Sequence, residues 1–285
     1  MPGSGRNVAL VTDSTASLPA EVVAKHGIVV VPLQVVVGAR SLDEGSEATN
    51  ETVAQALKSF EPVSTSRPAP EAFVSAYEAA VRAGAESMVS VHLSAQLSGT
   101  YDSALAAAAQ VEANVTVVDS AQIGLATGFA VLAAAAAIDG GADAEGAAAA
   151  ARAAAGVTRS FFYVDTLEYL RRGGRIGAAA ALVGAALAVK PLLTVRDGRV
   201  EPLEKVRTTA KALGRIEELA VEAAGDGPVA IGVQHLHAGA AAAALAGRLR
   251  DRLPQADPVW EREVGAVVAA HVGPGALAVV VAPQG

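Results

Sequence analysis

The 285-residue chain has no cysteine, which removes disulfides, thiolate metal sites and cysteine nucleophiles together. It also lacks a basic excess. Its 22 Lys and Arg against 29 Asp and Glu give a formal net charge of -7, without the dense basic stripe that neutralises nucleic-acid phosphates. Nucleic acid is therefore not an expected partner, while a local anion site is compatible with this balance. No Gly-x-x-x-x-Gly-Lys-Ser/Thr loop occurs, and no Gly-x-Gly-x-x-Gly follows a first strand, so nucleotide binding loses its two best signatures. The N-terminal apolar run, Val8–Val11, is too short for a signal-peptide core and is read as uncleaved. The longest uncharged window, Ser120–Ile138, approaches a membrane span in length but carries Ser120, Gln122, Gly124, Thr127 and Gly128. A buried, Ala-rich helix of a cytoplasmic protein accounts for it more simply.

What is present is apolar: 52% hydrophobic residues against 18% charged, the balance of a chain that folds. β-branched runs (Val8–Thr12, Ile28–Val37, Met88–Leu93, Val115–Asp119) alternate with helical patterns near Pro19–His26, Asn50–Phe60, Pro70–Gly84, Gly99–Val111, Gln122–Asp139 and Asp143–Ala155. That alternation predicts an α/β fold with a parallel or mixed sheet flanked by helices. After Gly156 the texture changes to an aromatic strand, Ser160–Val164, a hairpin turning at Asp197-Gly198 and a further strand, Val229–His235. We expect two lobes, 1–156 and a smaller α/β lobe, 157–285.

Small polar residues gather where strands end, the place at which a parallel sheet delivers side chains to a cleft. Asp13 and Ser14 follow the first strand, and helix capping is their favoured reading over ligand binding. Ser64-Thr65-Ser66-Arg67-Pro68 precedes a helix; there capping by Ser66 and anion binding by the hydroxyls both remain open. Ser94 to Tyr101 spans a strand-to-helix loop in which Gly99 permits close approach and Ser98 presents a hydroxyl at the helix start, forming an anion cradle. No Gly-x-Ser-x-Gly elbow surrounds that serine, which weakens a hydrolase reading. In Leu167 to Ile176, Arg171 and Arg172 fit a helix's last turn, while Arg175 follows two glycines on an irregular segment before the uncharged run Ile176–Val189. A guanidinium there suits a buried carboxylate. His235 and His237 fall on one face of an expected strand without an evident third metal ligand, so no metal site is expected. His271 sits in an expected tight turn, His271-Val272-Gly273-Pro274-Gly275, where a structural role is the simpler reading.

Taken in order, Val11-Thr12-Asp13-Ser14-Thr15 with Pro32-Leu33, Ser64-Thr65-Ser66 with Pro68, Leu97-Ser98-Gly99-Thr100-Tyr101, Asp119-Ser120, Leu167 to Ile176, Lys205-Val206-Arg207 and His271 to Gly275 resemble the DegV family over nearly the whole chain. Its better-characterised members are bacterial fatty-acid-binding proteins that serve a fatty acid kinase. The resemblance implies a two-lobed α/β fold with a ligand tunnel between the lobes, and a carrier that is not itself an enzyme. It implies that Thr65, Ser98, Arg175 and His271 bind the carboxylate of a long-chain fatty acid, with Ser94, Ser66, Gly99, Asp13 and Ser14 as secondary candidates. It further implies phosphorylation of that carboxylate by the kinase, transfer of the acyl phosphate to an acyltransferase or, by transient membrane contact, to lipid for phospholipid synthesis, and no cofactor beyond the bound fatty acid. The family commonly has Gln where this chain has Arg67, which adds a charge at the site's rim. The main alternative is a small-molecule phosphotransferase or hydrolase using the same hydroxyl, His and Arg residues; a regulatory or scaffolding role is the third.

Overall fold

The computed structural model describes residues 7–59, 61–182 and 190–284. Met1–Arg6, Phe60 at the end of an expected helix and 183–189 of the uncharged run lie outside the described residues. The chain folds as two compact units: one holds the chain up to Gln34 with Ser66–Gly156, the other Val35–Thr65 with the chain from Val157 onward.

The first unit begins with β1 (Val8–Asp13), α1 (Ala20–Lys25) and β2 (Val29–Val31). The run Ile28–Val37, expected as one strand, is two. Pro32 has no N–H for a ladder, and the N–H of Leu33 donates instead to Ser14 Oγ at 2.9 Å. The next segment, β3 (Gln34–Val37), β4 (Arg40–Asp43), α2 (Asn50–Lys58) and β5 (Val63–Ser66), forms a three-stranded sheet of order β4-β3-β5. Its side chains bind the C-terminal part of the chain, as described below, so residues 35–65 group with the second unit and a sequential split at 156 misplaces them.

The first unit resumes with α3 (Pro70–Arg82), β6 (Ser87–His92), α4 (Thr100–Ala108), β7 (Asn114–Asp119), α5 (Leu125–Asp139) and α6 (Ala144–Val157). Its sheet is wholly parallel, in the order β2-β1-β6-β7. Phe73, Tyr77 and Ala80, spaced along one face of α3, pack with Val11, Met88, Ala104 and Val117. The uncharged window maps onto α5, whose first seven residues are all buried. Among the described residues no helix is long and apolar enough to cross a membrane.

The second unit continues with β8 (Arg159–Tyr163), α7 (Glu168–Arg172), β9 (Lys190–Arg196), β10 (Arg199–Val206), α8 (Thr209–Ala224), β11 (Val229–His235), α9 (Gly239–Arg252), β12 (Ala256–Glu263), α10 (Ala266–Val272) and β13 (Leu277–Pro283). They build a six-stranded mixed sheet, β10-β9-β8-β13-β11-β12, so this unit is the larger of the two. Ile216, Leu245 and Leu249 pack on Ile231 and Val279 to form its core. Asp197-Gly198 turns the β9-β10 hairpin as expected. β11 stops at His235, and His237 adopts a left-handed backbone (φ 52°) beyond it, so these histidines do not share a strand face. Each instead faces a glutamate, Glu261 and Glu263 respectively.

Every residue of β6 is buried, because the strand is paired on both edges and covered on both faces. Ser90 and His92 must therefore find partners inside. Tyr77 donates to Ser90 Oγ at 2.9 Å, Ser90 Oγ lies 2.7 Å from His92 Nε2, and His92 Nδ1 lies 3.0 Å from Asp13 Oδ2. Because Asp13 acts as an acceptor, Nδ1 carries the ring hydrogen and Nε2 accepts from Ser90. Burial pushes the Tyr77 phenol up to about 12, which keeps it a neutral donor. Tyr77→Phe leaves the Ser90 oxygen short of a donor and is expected to destabilise the protein by about 1–2 kcal/mol in urea unfolding; an unchanged midpoint would show that this bond adds nothing.

Candidate functional site

In the second unit the segment from β4 to β5 grips α10 at both ends. Glu44, buried, accepts from Val267 N at 2.8 Å in the helix's first turn, and Asn50 Nδ2 donates to Val264 O at 2.7 Å just before it. A Cβ at Gly265 would meet the Glu44 carboxylate, so a glycine is needed for this approach. At the other end Thr65 Oγ1 lies 2.8 Å from His271 Nε2. His271 belongs to the last turn of α10 and not to a turn, as its Gly-Pro-Gly neighbourhood had suggested; the helix stops at Gly273, whose φ of 71° suits glycine.

The two glycines before Arg175 have distinct tasks. Gly174 (φ 71°) donates to Arg171 O at 3.1 Å and Arg175 N donates to Leu170 O at 3.0 Å, the bond pair of a Schellman stop for α7. Gly173 lies against the His271 ring, and a Cβ there would collide with Nδ1. Arg175 Nη1 donates to Gly173 O at 2.5 Å. Arg171 and Arg172 both pair with Glu168 at 2.7 Å on the exposed face of α7, the structural role expected of them.

Among the described residues the buried His271 Nδ1 has no hydrogen-bond partner, and it faces Gly173. Burial, and then the Arg175 charge, hold the imidazole down at about 4, so it is neutral near pH 7. A hydrogen on Nδ1 would be an orphaned buried donor, which selects the Nε2–H form. His271 then donates to Thr65 Oγ1, and the Thr65 hydroxyl hydrogen is left to donate elsewhere. A nucleophile–base reading of this pair lacks its third member, since among the described residues no carboxylate orients Nδ1.

In the first unit the loop from β6 to α4 is held from within. Leu93 N donates to Asp13 Oδ2 (3.0 Å), Ser94 N to Gln122 O (2.8 Å), Ala95 N to Asp119 Oδ1 (3.2 Å) and Gln96 N to Ser94 Oγ (3.1 Å). Leu97 N and Ser98 N both donate to Ser94 O. The amides of 93–98 are thus all engaged, which leaves hydroxyls and the first turn of α4, the groups named for the expected cradle, as donors. Ser98 Oγ lies 2.8 Å from Thr100 Oγ1 at that turn. Arg67, exposed, donates to Gly99 O at 3.4 Å, and a Cβ at Gly99 would meet its guanidinium.

The secondary candidates divide. Asp13 is fully buried and also accepts from Thr15 N and Thr15 Oγ1, so it is a capping and loop-holding group and not an open ligand site. Ser14 accepts from Leu33 N, Ser94 is buried within its loop, and Ser66 donates to Arg67 O and caps no helix; α3 begins after Ala69. Ser90, His92 and Asp13 stand in the order of a hydrolytic triad, but all three have zero exposure, which denies a substrate access.

The model of a family described as uncharacterised DegV family proteins matches residues 7–284. A DegV domain-containing protein of Streptomyces coelicolor is 54% identical over 279 residues, covering 98% of this chain and 99% of that one. The chain belongs to the DegV family. Among solved structures, a fatty-acid-binding DegV family protein from Thermus thermophilus matches with a TM-score of 0.91 at 33% identity, over 98% of this chain and 100% of that one. DegV from Bacillus subtilis, described as a fatty acid binding protein, matches with a TM-score of 0.89 at 35% identity, over 98% and 100%. Within this DegV chain Glu44, Asn50 and Asp119 were not singled out from sequence as site residues. Each acts on backbone groups distant in sequence or across a turn, a role that residue type alone does not signal.

The depressed basicity of His271 has a measurable consequence. Below pH 6.5 the unfolded chain takes up a proton at this residue, whereas the folded chain resists until about 4, so stability falls across that window and levels off beneath it. His271→Asn is expected to shrink the loss of unfolding free energy between pH 7 and pH 4 by up to roughly 3 kcal/mol in urea titrations. An unaltered pH profile would contradict the buried neutral ring.

Proposed function

We propose that this chain binds one long-chain fatty acid, engages its carboxylate with Thr65, Ser98, Arg175 and His271, and presents it to a fatty acid kinase. The observation that carries the reading is the fatty-acid binding stated for the Thermus and Bacillus proteins, which this chain resembles over nearly its whole length. The residue chemistry supports it. Burying an acyl tail contributes about 0.8 kcal/mol per methylene, ample for a chain of around sixteen carbons even after association costs. The head group is the harder part, because a carboxylate leaves water cheaply only where hydrogen bonds and a cation replace it. Thr65 has a hydroxyl hydrogen to give, Ser98 supplies a second hydroxyl and Arg175 the cation.

In the kinase step one carboxylate oxygen attacks the phosphorus of a donor held by the kinase. The acyl C–O–P bond forms as the donor's bond to that phosphorus breaks, and its leaving group stays with the kinase. The carrier supplies position and no nucleotide chemistry. The acyl phosphate then passes to an acyltransferase or to membrane lipid, in the direction of phospholipid synthesis. With delipidated protein, Ser98→Ala and Arg175→Ala are each expected to weaken cis-parinaric acid binding by about tenfold to a hundredfold, the range for hydrogen bonds to a charged group. His271→Ala is expected to reduce acyl-phosphate formation more than tail retention. Unchanged binding and phosphorylation in the Ser98 and Arg175 variants would reject their roles.

A further inference from the structure

Asp119 closes β7 and is only partly buried, yet a single oxygen of it, Oδ1, accepts from two loops at once: from Ala95 N at 3.2 Å and from Ala121 N at 2.7 Å. Ala95 lies between β6 and α4; Ala121 lies between β7 and α5. The pairing of β6 and β7 continues past both strands, with Ser120 N donating to His92 O (3.0 Å) and Ser94 N to Gln122 O (2.8 Å). Ala121 sits at φ 51°, a left-handed conformation that alanine rarely adopts, and its amide is the one that makes the shorter bond to Asp119. The Asp119 oxygen therefore fixes the crossing of two neighbouring loops at the carboxyl ends of adjacent parallel strands, where open α/β sheets bring side chains to a ligand. Three residues beyond Ala95 stands Ser98, its amide tied to Ser94 O at 3.1 Å and its hydroxyl set against Thr100.

We infer that Asp119 is a positioning residue for fatty-acid binding: it holds the 94–98 loop in the shape that aims the Ser98 hydroxyl, and it does so through the placement of one acceptor oxygen and not through its charge. The inference rests on the assignment of Ser98 as a head-group donor. It separates oxygen from charge. Asp119→Asn keeps an acceptor at the Oδ1 position and removes the charge, whereas Asp119→Glu keeps the charge and moves the oxygen by one methylene.

The test is titration of the delipidated full chain with cis-parinaric acid. Asp119→Ala is expected to weaken binding about tenfold, Asp119→Glu by about fivefold or more, and Asp119→Asn to stay within about threefold of the parent. Combined with Ser98→Ala, Asp119→Ala should add little to the loss caused by Ser98→Ala alone, because groups that act through one another are not additive. Asp119→Glu and Asp119→Asn keep the test decisive if Asp119→Ala does not fold. Parent-like binding by Asp119→Glu together with loss in Asp119→Asn, or losses in the double variant that multiply, would overturn the inference while leaving the fatty-acid reading intact. Failure of the parent chain to bind the probe would overturn that reading and this inference with it.

Discussion

The bond between Thr65 and His271 decides which hydrogen this pair has left to give. A hydroxyl has one hydrogen, and if it were spent on the imidazole, Thr65 would present only lone pairs to a carboxylate. With no acceptor for Nδ1 beside Gly173 among the described residues, and with burial and then the Arg175 charge keeping the ring neutral, the imidazole gives its Nε2 hydrogen and Thr65 keeps its own. The same requirement explains the neighbouring sequence. A side chain at 173 would displace the ring, a left-handed residue is needed at 174 to stop α7, and Glu44 and Asn50 hold α10 so that residue 271 arrives beside residue 65.

The first unit solves a different problem with the same currency of donors and acceptors. Its β6-to-α4 loop uses its own amides and the carboxylates of Asp13 and Asp119 to become rigid, so its backbone donors are spent within the unit while hydroxyls such as Ser98 stand at the helix start. Such a loop needs no net positive charge, in keeping with an acidic chain that bears individual arginines at Arg67 and Arg175 in place of a basic surface. The buried row from Tyr77 to Asp13 belongs to this scaffold. It satisfies the polar residues of a strand covered on every side, and Asp13 passes its rigidity to Leu93.

Much of this was legible in the residues. The alternation of β-branched runs and Ala-rich periods led to the parallel sheet, Asp197-Gly198 to the hairpin of the second unit's mixed sheet, and the doubled glycine to the unusual placement of Arg175. Local patterning did not show that residues 35–65 leave the unit in which they begin, because that grouping depends on Glu44, Asn50 and Thr65 meeting residues more than two hundred positions away. It also misjudged His271, where Gly-Pro-Gly marks the end of a helix and not a turn around the imidazole. Ser66 and Asp13 carried the expected residue types, but exposure beyond the helix start in one case and complete burial in the other decided their roles.

The central claim is that the chain carries a fatty acid whose head group these donors hold. Gentle purification followed by native mass spectrometry and lipid extraction tests it most directly. The account predicts close to one long-chain fatty acid per chain, diminished in Thr65→Val and Ser98→Ala; protein that is consistently empty and does not take up added oleate would contradict it.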